Sequence, residues 1–151
     1  QMKAIATYLH QKGLNEAQIK AMLSNIAVET GYTFSSSQKQ LGDRSDPAYG
    51  LFQFDPRGKG LAKPYQKYLA KTGSNDSLPA QLDFMVDSLS GEYKDGEKYI
   101  GYGNAQKWRK MDNAKEATIF FSENILRPGK PHMDKRLQFL EGLSQSGEGN
   151  E

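Results

Sequence analysis

The feature that most constrains this chain is the spacing of its apolar residues, which recur three and four apart through most of the sequence and are interrupted once. Met2, Ile5, Ala6 and Leu9 share one face of a first helix that ends at Lys12-Gly13, glycine being favoured just past a helix terminus. Asn15, with Gln18 three residues on, has the pattern of a capping box for a second helix. Its buried face is Ile19, Met22, Leu23 and Ile26, and its end lies near Gly31. Further helices are predicted at about 61–71, 77–90, 105–111, 114–124 and 133–143, each begun or ended by Ser, Asn, Gly or Pro. The interruption is a Ser-, Gln-, Gly- and Asp-rich stretch from Tyr32 to Pro47 followed by "AYGLFQFD", whose aromatic and apolar density predicts a short strand or an extended buried turn. The pattern predicts a mainly α fold with one small extended or β element. A single domain is expected over residues 1–143, with a polar linker or tail at 144–151.

Composition narrows the function classes. With 36% hydrophobic and 25% charged residues in 151, the chain can bury a core and is not a disordered segment. No cysteine is present, which excludes disulfide frameworks, thiolate metal sites and cysteine nucleophiles. No run of apolar residues is long enough to span a bilayer, so no membrane partner is expected. The first residue, Gln1, and the closing "SQSGEGNE" are expected of a domain taken from a longer chain.

Residues 1–75 hold ten Lys/Arg against five Asp/Glu, and residues 76–151 hold ten against thirteen. The basic half suits an anionic polymer, yet the dense cationic stripe with interleaved aromatics of a nucleic-acid binder is missing. Lys59, Lys63, Lys67 and Lys71 recur every four residues and predict a solvated helix face, with contact to a polyanion as the alternative. His10 and His132 lack metal-ligand spacing, and "DRSDPAYGLFQF" lacks the alternating oxygen ligands of a calcium loop. No metal and no cofactor are expected.

Glu29 is the residue out of place. At about 100° per residue it lies about 20° from Met22, at the margin of an apolar face, and at the C-terminal end of its helix. The helix dipole and partial burial both favour its protonated form, as a general acid requires. Asp43, Asp46 and Asp55 follow, and a pair of carboxylates flanking a cleft is the apparatus of glycoside hydrolysis.

"AVETGY" followed by "LGDRSDPAYGLFQFDPR" resembles the lysozyme-like glycoside hydrolases, in particular phage tail lysozyme domains, with a segment similar to goose-type lysozymes. The later "ATIFFSENILRPGKPHMDKRLQFL" is similar in style to the tail domains. The resemblance implies a mainly α lysozyme-like fold whose small extended element lines a substrate cleft. It implies a muramidase cleaving the β-1,4 bond between N-acetylmuramic acid and N-acetylglucosamine. Glu29 would be the general acid, with Asp43 or Asp55 positioning water and Asp46 able to replace or assist Asp43. By resemblance to the goose type, the reaction would invert the anomeric centre. Gln53, Tyr49 and Gly50 would meet the substrate in the "YGLFQ" element, although Gln53 could equally tie that element to a neighbouring loop. Gly50 would permit close backbone approach, Phe52 and Phe54 would share one parity and fill the core, and Tyr102 would offer a sugar platform from the "YIGYGN" loop, while Trp108 would pack inside.

The implied partners are peptidoglycan glycan strands and a larger parent tail or wall-penetrating protein, and the implied location is a virion tail or the extracellular face of a bacterial wall. Two other functions fit the same residues: a lytic transglycosylase using Glu29 alone, and a non-catalytic wall-binding virion module.

Overall fold

In the computed structural model, which describes residues 1–146, the periodic segments become eight α-helices. They are α1 (Met2–Gln11), α2 (Glu16–Glu29), α3 (Ala62–Thr72), α4 (Leu78–Ser90), α5 (Lys94–Ile100), α6 (Tyr102–Arg109), α7 (Ala114–Phe120) and α8 (Met133–Ser146). A π-helical turn, Phe121–Leu126, continues α7. Because α8 runs through Ser146, the rest of the tail expected at 144–151 lies outside the described residues. No helix among the described residues is long and apolar enough to cross a membrane.

The capping signals act as their chemistry requires. The Asn15 side chain accepts from the Gln18 amide at 2.8 Å while Gln18 Oε1 accepts from the Asn15 amide at 3.0 Å, satisfying two donors that α2 would otherwise leave open. At the far end, Gly31 N–H donates to Val28 O and Tyr32 N–H to Ala27 O, with Gly31 and Tyr32 at φ 60° and 68°. This Schellman pattern stops the helix directly after Glu29.

Burial on α2 is wider than one face. Ala17 through Ala27 is buried except for Lys20, because α1, α7 and α8 all pack on this helix. Its buried polar side chains are paired: Gln18 Nε2 donates to Trp108 O at 2.9 Å, and Asn25 Nδ2 to Ala21 O at 2.8 Å and Thr118 O at 3.2 Å. The helices α3 to α6 pack among themselves as a second group, joined to the first where Phe121 meets Trp108 and Phe52 at 5.2 and 5.9 Å between ring centroids.

Of the two forms expected for "AYGLFQFD" the structure takes the buried turn, one helix is added, and the loop placement of Tyr102 needs correction. "AYGLFQFD" is a tight turn held by two isolated bridges, Lys39 to Tyr49 and Tyr49 to Phe54, so strand alternation fails there and Leu51, Phe52 and Phe54 are all buried. Helix α5 was not foreseen: its interior Gly96 hides the periodicity, and it is glycine because a Cβ would stand 1.9 Å from Ser88 Oγ on α4. Tyr102 is not in a loop but opens α6, since α5 and α6 meet at Gly101 with no connecting stretch.

Candidate active site

The Schellman stop leaves the Glu29 carboxyl at the end of the core helix, where it lines a cleft of about 1020 Å³. One wall comes from the 38–60 segment, including Gln38, Phe52, Gln53 and Asp55, and the other from residues 126–136, which descend from the π-helical turn into α8. The turn that carries Gln53 is anchored from below, since Phe54 packs on Tyr65 at 4.6 Å and on Phe84 at 5.6 Å. Aromatic pairs of this kind give a rigid support.

Glu29 is mostly buried, its side chain only 12% exposed. Arg136, on α8, is 1% exposed and donates from Nη2 to Glu29 Oε2 at 2.8 Å. Burial pushes the Glu29 carboxyl above its ordinary 4.5, outweighing the opposing pull of the Arg136 guanidinium and, more weakly, of His132. Asp55 behaves in the opposite sense. Its burial acts upwards, but the Arg57 amide at 2.9 Å and the Arg44 guanidinium at 3.1 Å together hold it below its ordinary 3.8. One cleft therefore holds one carboxyl biased towards its acid form and one biased towards its anion, the split that acid–base chemistry uses.

A sequence model of phage tail lysozyme matches residues 1–139 of the chain, a span that runs from α1 into α8 and includes Glu29, Asp55 and Arg136. The chain belongs to the phage tail lysozyme family. No curated protein matches it. A lysozyme-like, peptidoglycan-lytic function, set in a virion tail and acting on the cell wall, goes with that membership.

Of the residues singled out in the sequence, the tail lysozyme cleft brings together Glu29, Gln53 and Asp55. Gln53 Nε2 donates to Gln38 O and Gly50 O at 3.1 and 3.0 Å, so its amide nitrogen ties the loop while its oxygen accepts from no described residue. Asp43 and Asp46 are exposed on the preceding loop and lie outside the cleft lining, Asp46 standing 3.6 Å from Arg44. Tyr49 faces inward on Phe54 and Tyr65, its hydroxyl accepting from Gln66 at 2.7 Å. Gly50 does permit a close approach, but of Gln81, whose Oε1 would stand 2.6 Å from an added Cβ. Tyr102 is 52% exposed and does not line the cleft. Trp108 is buried, as its helical position implied.

The sequence did not mark Arg136, Arg127, Lys130 and Lys59 as cleft residues, and His132 was weighed only as a metal ligand. His132 caps, its carbonyl accepting from the Lys135 and Arg136 amides, and it lines the cleft as well. A signal for Arg136 was present: it falls four and seven residues before Leu140 and Leu143, in register with the buried stripe of α8. Among the described residues no group of His, Asp and Glu is gathered closely enough to hold a metal ion.

Proposed function

We propose that this domain is a muramidase that hydrolyses the β-1,4 bond between N-acetylmuramic acid and N-acetylglucosamine, with Glu29 as general acid and Asp55 as the second carboxylate. The observation that carries this reading is the opposite bias of the two carboxyls lining one cleft. The Glu29 proton passes to the bridging oxygen, which keeps the electron pair of the broken bond to the sugar carbon. Water adds to that carbon, and its released proton is taken by the Asp55 carboxylate. No cofactor enters the step. Asp55 is preferred to Asp43 and Asp46 because it alone of the three lines the cleft. The Gln53 amide oxygen is placed to accept from a sugar hydroxyl or acetamido N–H. We further propose that the domain works as the lytic part of a larger tail protein, opening glycan strands locally as a virion crosses the wall.

Mass spectrometry of digested sacculi tests the reading. Reducing ends are expected, whereas anhydromuramyl ends would make the protein a transglycosylase and an absence of fragments would make it a binding module. Glu29→Gln and Asp55→Asn should each lower the rate by at least about 10²-fold, and Asp43→Asn should retain most of it. Product anomers resolved by NMR should be inverted. Because Asp55 must be ionised and Glu29 protonated, the rate should fall on the acid side below 3.8 and on the alkaline side above 4.5.

A further inference from the structure

We propose that Arg136 is the positioning residue for the proton donor: its guanidinium holds the Glu29 carboxyl by one oxygen, so that the other, Oε1, presents the proton to the substrate. This rests on the assignment of Glu29 as general acid and adds a residue from the opposite end of the chain to that site.

A buried cation is expensive unless every donor is met, and Arg136 meets its donors with few partners. Nε donates to Pro131 O at 2.7 Å, Nη1 to Asn25 Oδ1 at 3.0 Å and Asn25 O at 3.4 Å, and Nη2 to Glu29 Oε2 at 2.8 Å. Glu29 is the one anion among them. Asn25 is itself fixed, since its amide nitrogen is spent on Ala21 O and Thr118 O. A continuous chain of hydrogen bonds thus runs from α7 through Asn25 to the guanidinium and on to the carboxyl. Asn25 and Glu29 are one turn apart on α2, so the same helix face supplies both groups that orient the arginine.

The donor inventory then decides which oxygen carries the proton. A guanidinium has five N–H groups and no acceptor, so an O–H on Oε2 would point a second proton at a site already occupied by Nη2–H. Oε1 accepts from no described residue, which leaves it for the proton. When that proton moves to the bridging oxygen, the carboxylate left behind already has its counter-ion at 2.8 Å, so no group has to rearrange as the charge forms.

The charges facing Glu29 are Arg136 from α8 and His132 from the segment before it. Lys39, Asp55, Lys59, Arg127 and Lys130 complete the charged lining of the cleft. Arg136 pulls the Glu29 carboxyl towards its ionised form, so its removal should leave Glu29 protonated to higher pH.

The test is the pH–rate profile on sacculi of the wild type, Arg136→Lys and Arg136→Met, with folding checked by circular dichroism. Arg136→Met should lose on the order of 10²-fold in kcat through misplacement of the acid, with KM little altered and the alkaline limb moved to higher pH. Arg136→Lys, which keeps the charge but not the fork, should regain part of kcat and hold the alkaline limb near its original position. Folded variants that both keep the wild-type alkaline limb would overturn the proposal, because a purely structural arginine predicts that result. Should Arg136→Met fail to fold, NMR on the wild type still decides: the Arg136 Nη resonances should titrate together with the Glu29 carboxyl carbon, and Arg136 signals that stay unmoved through that transition would refute the pairing. The NMR outcome does not depend on activity. An active Glu29→Gln would therefore sink the general-acid assignment without being confused with a failure of the pairing.

Discussion

Burial of the Glu29 carboxyl favours its neutral form more than Arg136 and His132 favour its anion, and that imbalance reaches beyond catalysis to stability. A carboxyl whose pKa is raised by folding contributes its full stability below the unfolded value, here the ordinary 4.5, and loses it as pH rises through the folded value. Above the unfolded value, ionisation of Glu29 therefore works against the fold. Gln is a neutral stand-in whose amide oxygen can still accept from Arg136. Glu29→Gln should accordingly match the wild type in Tm below pH 4.5 and exceed it increasingly as pH rises, while losing lysis. Differential scanning calorimetry across pH measures this directly, and a variant less stable than wild type at neutral pH would contradict the bias. Asp55 has the opposite sign: its lowered pKa gives stability above 3.8 that is lost as pH falls through the folded value.

Among the elements, the 49–54 turn joins fold and site most tightly. Gly50 adopts φ +87° with Gln81 packed against its Cα, and Gln81 in turn accepts from the Leu51 amide at 2.9 Å and donates to Ser36 O at 2.9 Å and Asp76 Oδ1 at 3.0 Å. Gly50→Ala adds left-handed strain and displaces a buried, fully engaged amide, so we expect a loss of about 2–4 kcal/mol in urea unfolding, with activity falling as Gln53 and Asp55 shift. Gly58→Ala, at φ +54° with nothing near its Cβ, should lose only about 1 kcal/mol. Local chemistry made some elements legible in advance. The Asn15–Gln18 box and the glycine after Glu29 are signals within one helical turn, and the sequence places the ends of α2 well because both devices act there. The turn at 49–54, α5 and the cleft face of α8 depend on distant partners: Gln81 for Gly50, Ser88 for Gly96, Asn25 and Glu29 for Arg136. Their residues look ordinary until the fold brings those partners to them. The same reason explains why Glu29 and Asp55 could be named beforehand while Asp43, Asp46, Tyr49, Gly50 and Tyr102 could not be separated from them as cleft residues.

Across the whole molecule, charge is sorted by three-dimensional position and not by halves of the chain. The second half carries more acids than bases, yet several of those acids are engaged away from the cleft. Asp76, Asp83 and Asp87 accept from Tyr65, Tyr8 and Tyr68 at 2.5, 2.6 and 2.7 Å, and Glu97 pairs with Arg109 at 3.0 Å. Burial, with the Asp83 carboxylate beside it, pushes the Tyr8 hydroxyl up to about 12, so these contacts keep their hydrogens through the working pH range. Three basic residues of the same half go to the cleft instead: Arg127, Lys130 and Arg136 join Lys39 and Lys59 there, with Glu29 and Asp55. Of the lysine row, Lys63, Lys67 and Lys71 are exposed on α3 and outside the cleft, while Lys59, which precedes that helix, lines it, so the basic lining is assembled from distant parts of the sequence. A concave surface with this excess of positive charge concentrates an anionic polymer and speeds its capture, an effect that added salt screens. We therefore expect the initial rate of sacculus clearing to fall with ionic strength, and Lys59→Glu with Lys130→Glu to lower kcat/KM on sacculi by about 10-fold or more at low salt. The double variant should lose much less on an uncharged chitin oligosaccharide, because the carboxylates that the lysines attract are then missing. Equal losses on the two substrates would mean that the lysines act on the shape of the cleft and not through its field.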